Sequence, residues 1–480
     1  MKKKFNFNYK PKTQPFPHQI EAIRYIEENN IVALFDEQGL GKTKIVIEAL
    51  CNNMNNDQLD SVFVVCKKNL IQTWQEEIET HSFLKPIVLR GTEKSLGNQY
   101  MTFAKFYVIN YDLIDKESDR LKMFLQLRRF AIVLDESHII KNPTSKVAIS
   151  LHYLSKFTIK RIIISGTPVA NKPIDIWSQF YFLDNGKLLG NCFNDFKKRY
   201  FIDLKDGSSL INSIELEELR TIISLNSIRR KKTDVLELPN KTYIEKYVDL
   251  NPVQRSMYNK VRDELVIEIQ NAEGEIILDE SNDLLKKILR LAQICSNPLL
   301  IDKSYIEVPA KFPILETLVC EIISRGEKVI IWSSFVENIK ILNKLFRKYN
   351  SVMIYGGVPI DKRNEFIKRF KNDIDCKILV ANPAAAREGL TLTVANNAIY
   401  LDRNFNLVDY LQSQDRIHRI SQTKPCLIYK IIALNSLDIF VDEILTRKQY
   451  VAEVVQGDKK ATEFNYNLSK EDILNYLKES

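Results

Sequence analysis

Two segments of the chain carry residues whose types and spacing suit phosphoryl transfer. The first, ALFDEQGLGKT (Ala33 to Thr43), ends an apolar run and opens a helical pattern. Gly39 and Gly41 let the backbone bend close to phosphate oxygens, and a helix N-terminus presents unpaired N–H groups to them. Lys42 is placed to hold β- and γ-phosphates, and the Thr43 hydroxyl to ligate magnesium. Asp36 stands where such loops usually begin with glycine. A glycine turn capping a helix, followed by an incidental Lys-Thr, is the bland alternative. The second segment, AIVLDESH (Ala131 to His138), is an apolar strand ending in two acids and a histidine. Carboxylates there lie at the carboxyl edge of a parallel sheet, where ligands of such folds bind. Asp135 can hold magnesium, directly or through its waters, and Glu136 can orient and deprotonate an attacking water. An acid pair ending a strand is common by itself; downstream of a phosphate loop it gains meaning. His138 is then placed to couple this site to neighbouring motifs.

Such residues need sheets to hold them. Short runs rich in Val and Ile recur at Ile31–Phe35, Ser61–Cys66, Phe106–Ile109, Ala131–Leu134 and Arg161–Ile164. A second series follows at Lys328–Trp332, Val352–Tyr355, Lys377–Val380, Ala398–Leu401 and Cys426–Ile432, with helical-period segments such as Lys44–Asn52 and Glu337–Tyr349 interspersed. Strands this apolar, alternating with helices, predict parallel sheets covered on both faces. The fold class is therefore α/β, with two parallel-sheet lobes and helical protrusions between them. From about Asp175 to Lys311 the pattern turns helical and charged. The expected domains are an ATP-binding lobe with a protrusion at 1–238, a helical linker at 239–310, a second lobe at 311–456 and a tail at 457–480. The first boundary is set near Pro239 by the turn composition of LELPNK. In the tail, Ser469 and Asp472 are spaced as a capping box opening a last helix.

Bulk properties narrow the class. The 480 residues are too many for one comfortable core, and 45% hydrophobic with 27% charged residues is ordinary globular composition. No apolar run reaches the ~18 residues a membrane-spanning helix requires, so no membrane association is expected. The seven cysteines contain no Cys-x-x-Cys pair, which argues against a zinc ribbon and fits a reducing, cytoplasmic setting. The net charge of +8 is compatible with a polyanionic partner without requiring one. A GTPase switch would need an Asn-Lys-x-Asp motif, and none occurs.

From about residue 15 to 445 the motifs resemble, in family order, the SWI/SNF-like ATPases of helicase superfamily 2. Pro17-His18-Gln19 looks like the adenine-reading glutamine element, and Asp36 to Thr43 resembles the family's Asp-Glu-x-Gly-Leu-Gly-Lys-Thr, in which the first glycine is likewise absent. Val62 to Trp74 is similar to motif Ia, whose turn contacts a DNA backbone. Asp135–His138 with Ile140-Lys141-Asn142 resembles motif II, and Ser165-Gly166-Thr167-Pro168 with Asn171 resembles motif III. Asp175-Ile176-Trp177-Ser178 resembles the stretch that follows. Arg229–Lys232 before Leu238-Pro239 looks like the basic entrance to lobe two. Lys328–Phe335 resembles motif IV, Tyr355-Gly356-Gly357 with Arg363 the next strand and turn, and Gln412 to Gln422 motif VI. Motif V departs from the family pattern: Pro383 to Thr393 reads PAAAREGLTLT, keeping Gly389, Leu390 and Thr393. Ser421 replaces the glycine after His-Arg-Ile.

The resemblance implies two RecA-like lobes, ATP and Mg2+ as cofactors, and double-stranded DNA as the track of an ATP-driven translocase. Gln19, Gly39, Gly41, Lys42 and Thr43 would bind nucleotide, with Thr43 and Asp135 on the metal. Lys42, Glu136, Gln412, Arg416 and Arg419 form the implied catalytic set. The two arginines, three apart and so on one helical face, would supply cations from lobe two. Grip on the duplex falls to Lys67, Thr167, Trp332, Thr391 and Thr393, with Lys68, Arg229 and Lys231 as further candidates. Strand separation and a nucleotide-gated scaffold without turnover are the alternatives. With no reader domain apparent, a targeting partner protein is expected.

Overall fold

The computed structural model describes residues 9–169, 173–200, 202–203, 209–210, 213–271, 282–385, 390–459 and 470–479. The chain forms two compact units. Lobe one comprises Met1–Tyr200, Asn212–Glu237 and Val451–Thr462; lobe two comprises Phe201–Ile211, Leu238–Tyr450 and Glu463–Ser480.

The strands, in chain order, are β1 (Ile31–Leu34), β2 (Ser61–Cys66), β3 (Ile87–Val88), β4 (Phe106–Asn110), β5 (Phe130–Asp135), β6 (Lys160–Ile164), β7 (Ile202–Asp203), β8 (Ser209–Leu210), β9 (Ser227–Ile228), β10 (Lys241–Val248), β11 (Val329–Trp332), β12 (Val352–Ile354), β13 (Ile378–Ala381), β14 (Asn397–Tyr400) and β15 (Cys426–Ala433). Lobe one holds a seven-stranded sheet in the order β3-β4-β2-β5-β6-β1-β9. Lobe two holds a six-stranded sheet, β10-β15-β14-β11-β13-β12, and the short antiparallel pair β7-β8. Every pairing in the two large sheets is parallel.

All ten Val- and Ile-rich runs are strands, because runs buried on both faces need no polar alternation. Every residue of β2 is buried, and β5 is buried up to its last residue, Asp135, which emerges at the carboxyl edge. Three helices flank the first strands: α1 (Pro17–Glu28), α2 (Lys42–Asn55) and α3 (Ile71–His81). Ile45, Leu50, Trp74 and Ile78 from α2 and α3 pack with Val62, Val64, Ala131 and Val133 of the sheet in one core. Lobe two has its own core around Leu315, Val319, Ile331, Ile339, Val380 and Ile399.

The stretch 239–310, read as helical, needs correction. It opens with β10, paired along its whole length with β15. In KTYIEKYV the apolar positions are interrupted by Lys and Glu, and its residues are only half-buried or exposed. An edge strand needs a polar outer surface, which makes it resemble a charged helix in composition.

Candidate active site

In lobe one, β1, β6 and β5 lie side by side, so the segments leaving their carboxyl ends converge. These are the phosphate loop before α2, the Ser165–Thr167 turn and the Asp135–Glu136 pair. Gly39 and Gly41 have φ of 91° and 78°, the left-handed region where other residues are strained. A Cβ on Gly41 would lie 2.3 Å from Nε2 of Gln19, and one on Gly166 would lie 2.6 Å from Cγ of Gln38 and 3.4 Å from Nζ of Lys42. The motif III turn therefore packs directly on the loop. The Lys42 amine donates to the carbonyls of Asp36 (2.8 Å) and Glu37 (3.1 Å). Burial lowers its pKa, opposed by the charges of Glu136, Asp36 and Asp135.

Glu136 has φ 54°, a left-handed turn that lets two successive acids leave one strand end. Its carboxylate lies 3.3 Å from Nδ1 of His138 and 3.5 Å from the Gln38 amide that donates to it. Burial alone would raise the Glu136 pKa; hydrogen bonding and charge from His138, then the charges of Lys67 and Lys42, outweigh it and hold the group ionised. Asp135 moves the other way, raised by burial and by the neighbouring Glu136 charge, while the Trp74 hydrogen bond and Lys42 oppose the rise.

Asp36 is fully buried, and its carboxylate pairs with Arg230 through Nε (3.0 Å) and Nη2. Arg230 also donates to the His18 carbonyl. Arg229 donates to the carbonyl of Phe35 (2.7 Å) and to Asp458 (2.8 Å), which also faces Lys231. The basic stretch is thus tied to the phosphate loop and to the segment after Gly457. Arg229 and Lys231, expected as further duplex contacts, both face Asp458 here, and Arg230 pairs with the Asp36 that stands in place of glycine. Gln19 donates to the Leu40 carbonyl at 3.2 Å and accepts from the Phe16 N–H at 3.0 Å, fixing the entry of α1 against the loop. The supporting contacts of three residues were not legible in the sequence. Buried Gln179 accepts from Ser137 (2.7 Å) and donates to the Pro168 carbonyl (2.7 Å), linking motif II to motif III. Trp74 donates to the Asp135 carboxylate at 2.8 Å, and Tyr111 donates to the Asp135 carbonyl at 2.8 Å.

In lobe two, the helix Leu407–Gln414 stops before the two arginines, which lie in successive turns instead of on one helical face. Arg416 is 3% exposed and donates to the carbonyls of Gln412 (2.9 Å) and Leu390 (3.3 Å). Gln412 is buried beside it. Arg419 is partly exposed and donates to Thr391 at 2.8 Å, while Thr393 and Ser421 share a hydrogen bond of 2.8 Å. Motifs V and VI are therefore sewn together. Two expected DNA contacts need correction. Trp332 has no exposed surface because it ends a central strand, and Thr167 is 8% exposed because its turn folds onto the phosphate loop. Lys67, Thr391 and Thr393 are partly exposed and Lys68 is exposed. Asn171, Gly389 and Ser469 lie outside the described residues.

Among the described residues no group of three or more His, Cys, Asp or Glu side chains could hold a metal alone. Thr43 and Asp135 beside a phosphate loop fit magnesium, which usually takes one or two protein ligands and completes its shell with phosphates and water.

Residues 18–300 match the SNF2-related domain, and residues 310–421 match the helicase conserved C-terminal domain. The chain belongs to the SNF2-related family. The module it spans is that of an ATP-hydrolysing enzyme. Among similar proteins, an uncharacterised ATP-dependent helicase of Mycoplasma pneumoniae is 29% identical over 465 residues, covering 95% of this chain and 43% of that protein. Chromodomain-helicase-DNA-binding protein 1-like of Danio rerio is 25% identical over 450 residues, covering 88% and 42%. The SWI2/SNF2 ATPase core of Sulfolobus solfataricus, solved in complex with dsDNA, is 27% identical, covers 94% of this chain and 95% of that one, and has a TM-score of 0.45. This SNF2-related chain thus spans less than half the length of the curated relatives it matches. No described helix is long and apolar enough to cross a membrane.

Proposed function

We propose that this SNF2-related protein is a DNA-stimulated ATPase that moves along double-stranded DNA. The observation that carries the reading is that Lys42, Asp135 and Glu136 converge in lobe one, while a separate parallel-sheet lobe holds Arg419 against Thr391. Lys42 and the α2 N-terminus bind the phosphates, and Gln19 borders them. Thr43 and Asp135 would hold Mg2+, which when bound would neutralise charge on the phosphates. Glu136 would orient the attacking water, and Arg419 would add a cation from lobe two to offset charge developing on the phosphates. Hydrolysis then requires the two lobes to approach, and each cycle of approach and release advances lobes that grip the same strand.

Duplex grip would fall to partly exposed Lys67 and exposed Lys68 after β2 and to Thr391 and Thr393, through phosphates because a walking motor cannot depend on sequence. A relative named for DNA binding supports the substrate class. A targeting partner and a cytoplasmic location belong to the same reading. Triplex displacement tests it: ATP-dependent release of a third strand from a duplex supports translocation. Unwinding of a forked duplex without triplex release would replace it with strand separation.

A further inference from the structure

We infer that Trp74 is a positioning residue that holds Asp135 in its metal-binding orientation and ties it to the turn at Lys67–Leu70. The part of this inference that concerns duplex rests on the proposed function; the part that concerns Asp135 does not.

Trp74 lies in the first turn of α3, immediately after the 3-10 turn Lys68–Leu70 that follows β2. Lys68 and Asn69 are exposed, whereas Trp74 is 1% exposed, so one short stretch runs from solvent to the floor of the site. The Leu70 N–H donates to the Lys67 carbonyl at 2.9 Å, which closes the turn and joins it to the helix. The indole Nε1 donates to Oδ2 of Asp135 at 2.8 Å. Tyr111, leaving β4 as Trp74's helix leaves β2, donates to the Asp135 backbone carbonyl at 2.8 Å. The backbone is therefore held from one side and the carboxylate from another.

A hydrogen bond to one carboxylate oxygen fixes the rotation of the group and leaves the other oxygen for a ligand. Groups that hold metal ligands in this way typically change metal affinity by about 10- to 100-fold when removed. A duplex backbone pressing on Lys67 and Lys68 bears on the stem that carries the indole. The magnesium requirement of the site and occupancy of the turn are then linked, and linkage runs equally in both directions.

The test is binding of a fluorescent ATP analogue, mant-ATP, to the full chain as Mg2+ is varied, first without DNA. Trp74→Phe keeps an aromatic ring and loses the donor; the half-saturating Mg2+ should rise about tenfold. Trp74→His has a smaller ring, but its Nε2 stands two bonds from Cγ, as the indole Nε1 does, and it should recover most of the loss. If Trp74 were only packing, the larger Phe would behave more like the native protein than His does, and that order overturns the inference. Thermal melts establish that each variant is folded. Should Trp74→Phe not fold, Trp74→His decides alone: a requirement within about threefold of native supports the donor role, and a tenfold rise contradicts it. A 30-base-pair duplex is then added. It should lower the native half-saturation point and leave that of Trp74→Phe unmoved; an equal shift in both overturns the link to the turn. A native protein indifferent to duplex contradicts the translocase reading and the link with it, while the DNA-free order of Phe and His still decides the role at Asp135.

Discussion

Glu136 and Gln have nearly the same shape, so Glu136→Gln isolates the charge of a side chain that lies against His138 and Gln38. The variant should bind mant-ATP normally and hydrolyse ATP at least about 100-fold more slowly, as general-base or water-orienting groups contribute. Lys42→Ala removes the amine that caps the loop carbonyls and should abolish detectable nucleotide binding. Arg419→Ala should lower turnover about 1000-fold with little change in nucleotide affinity; a loss below tenfold would leave it the structural partner of Thr391. Asp135 is raised by burial and by Glu136, so its carboxylate is ionised above that raised pKa and neutral below it. Magnesium-dependent nucleotide binding should therefore fall as pH drops, at a midpoint above the ordinary carboxylate range. Added Mg2+ should move that midpoint to lower pH, because cation and proton compete for one carboxylate. The residues of the phosphate loop and acid pair were legible because their chemistry fixes type and spacing together. The contacts of Trp74, Tyr111 and Gln179 were not: each joins distant segments, such as Trp74 with Asp135, and leaves no local pattern.

At the scale of elements, the loop's unusual Asp36 creates a buried charge that Arg230 must neutralise. Arg230→Ala leaves that carboxylate uncompensated and should destabilise lobe one by about 3–5 kcal/mol, measured by urea unfolding. Arg230→Ala combined with Asp36→Asn should recover part of the loss if the pair is the cause. The ten apolar strands were legible because burial on both faces leaves a continuous Val/Ile signal. β10 was missed because an exposed edge mixes Lys and Glu into the run. β3 and β9, with two residues each, are too short to carry a period. The spacing of Arg416 and Arg419 suggested one helical face, yet the helix ends at Gln414 and turns take over. Three-residue spacing fits a helix, but a string of turns satisfies it equally well.

For the whole molecule, two independent cores and two parallel sheets supply the separate bodies that a closing motor requires. Their existence was readable as two series of runs far apart in the chain. The attachment of Asp458 to lobe one was not, because one acid in a tail gives no sign of its partner. If the duplex is gripped through phosphates, stimulation should fall steeply as salt rises, with a log–log slope of about −0.9 per phosphate contact. The most direct measurement is steady-state ATP hydrolysis by the purified chain alone and with single-stranded DNA, duplex DNA or RNA, using Glu136→Gln as the blank. Strong stimulation by duplex, above that by either single strand, is the result expected. Equal turnover with and without duplex, in protein that binds mant-ATP, would contradict the account.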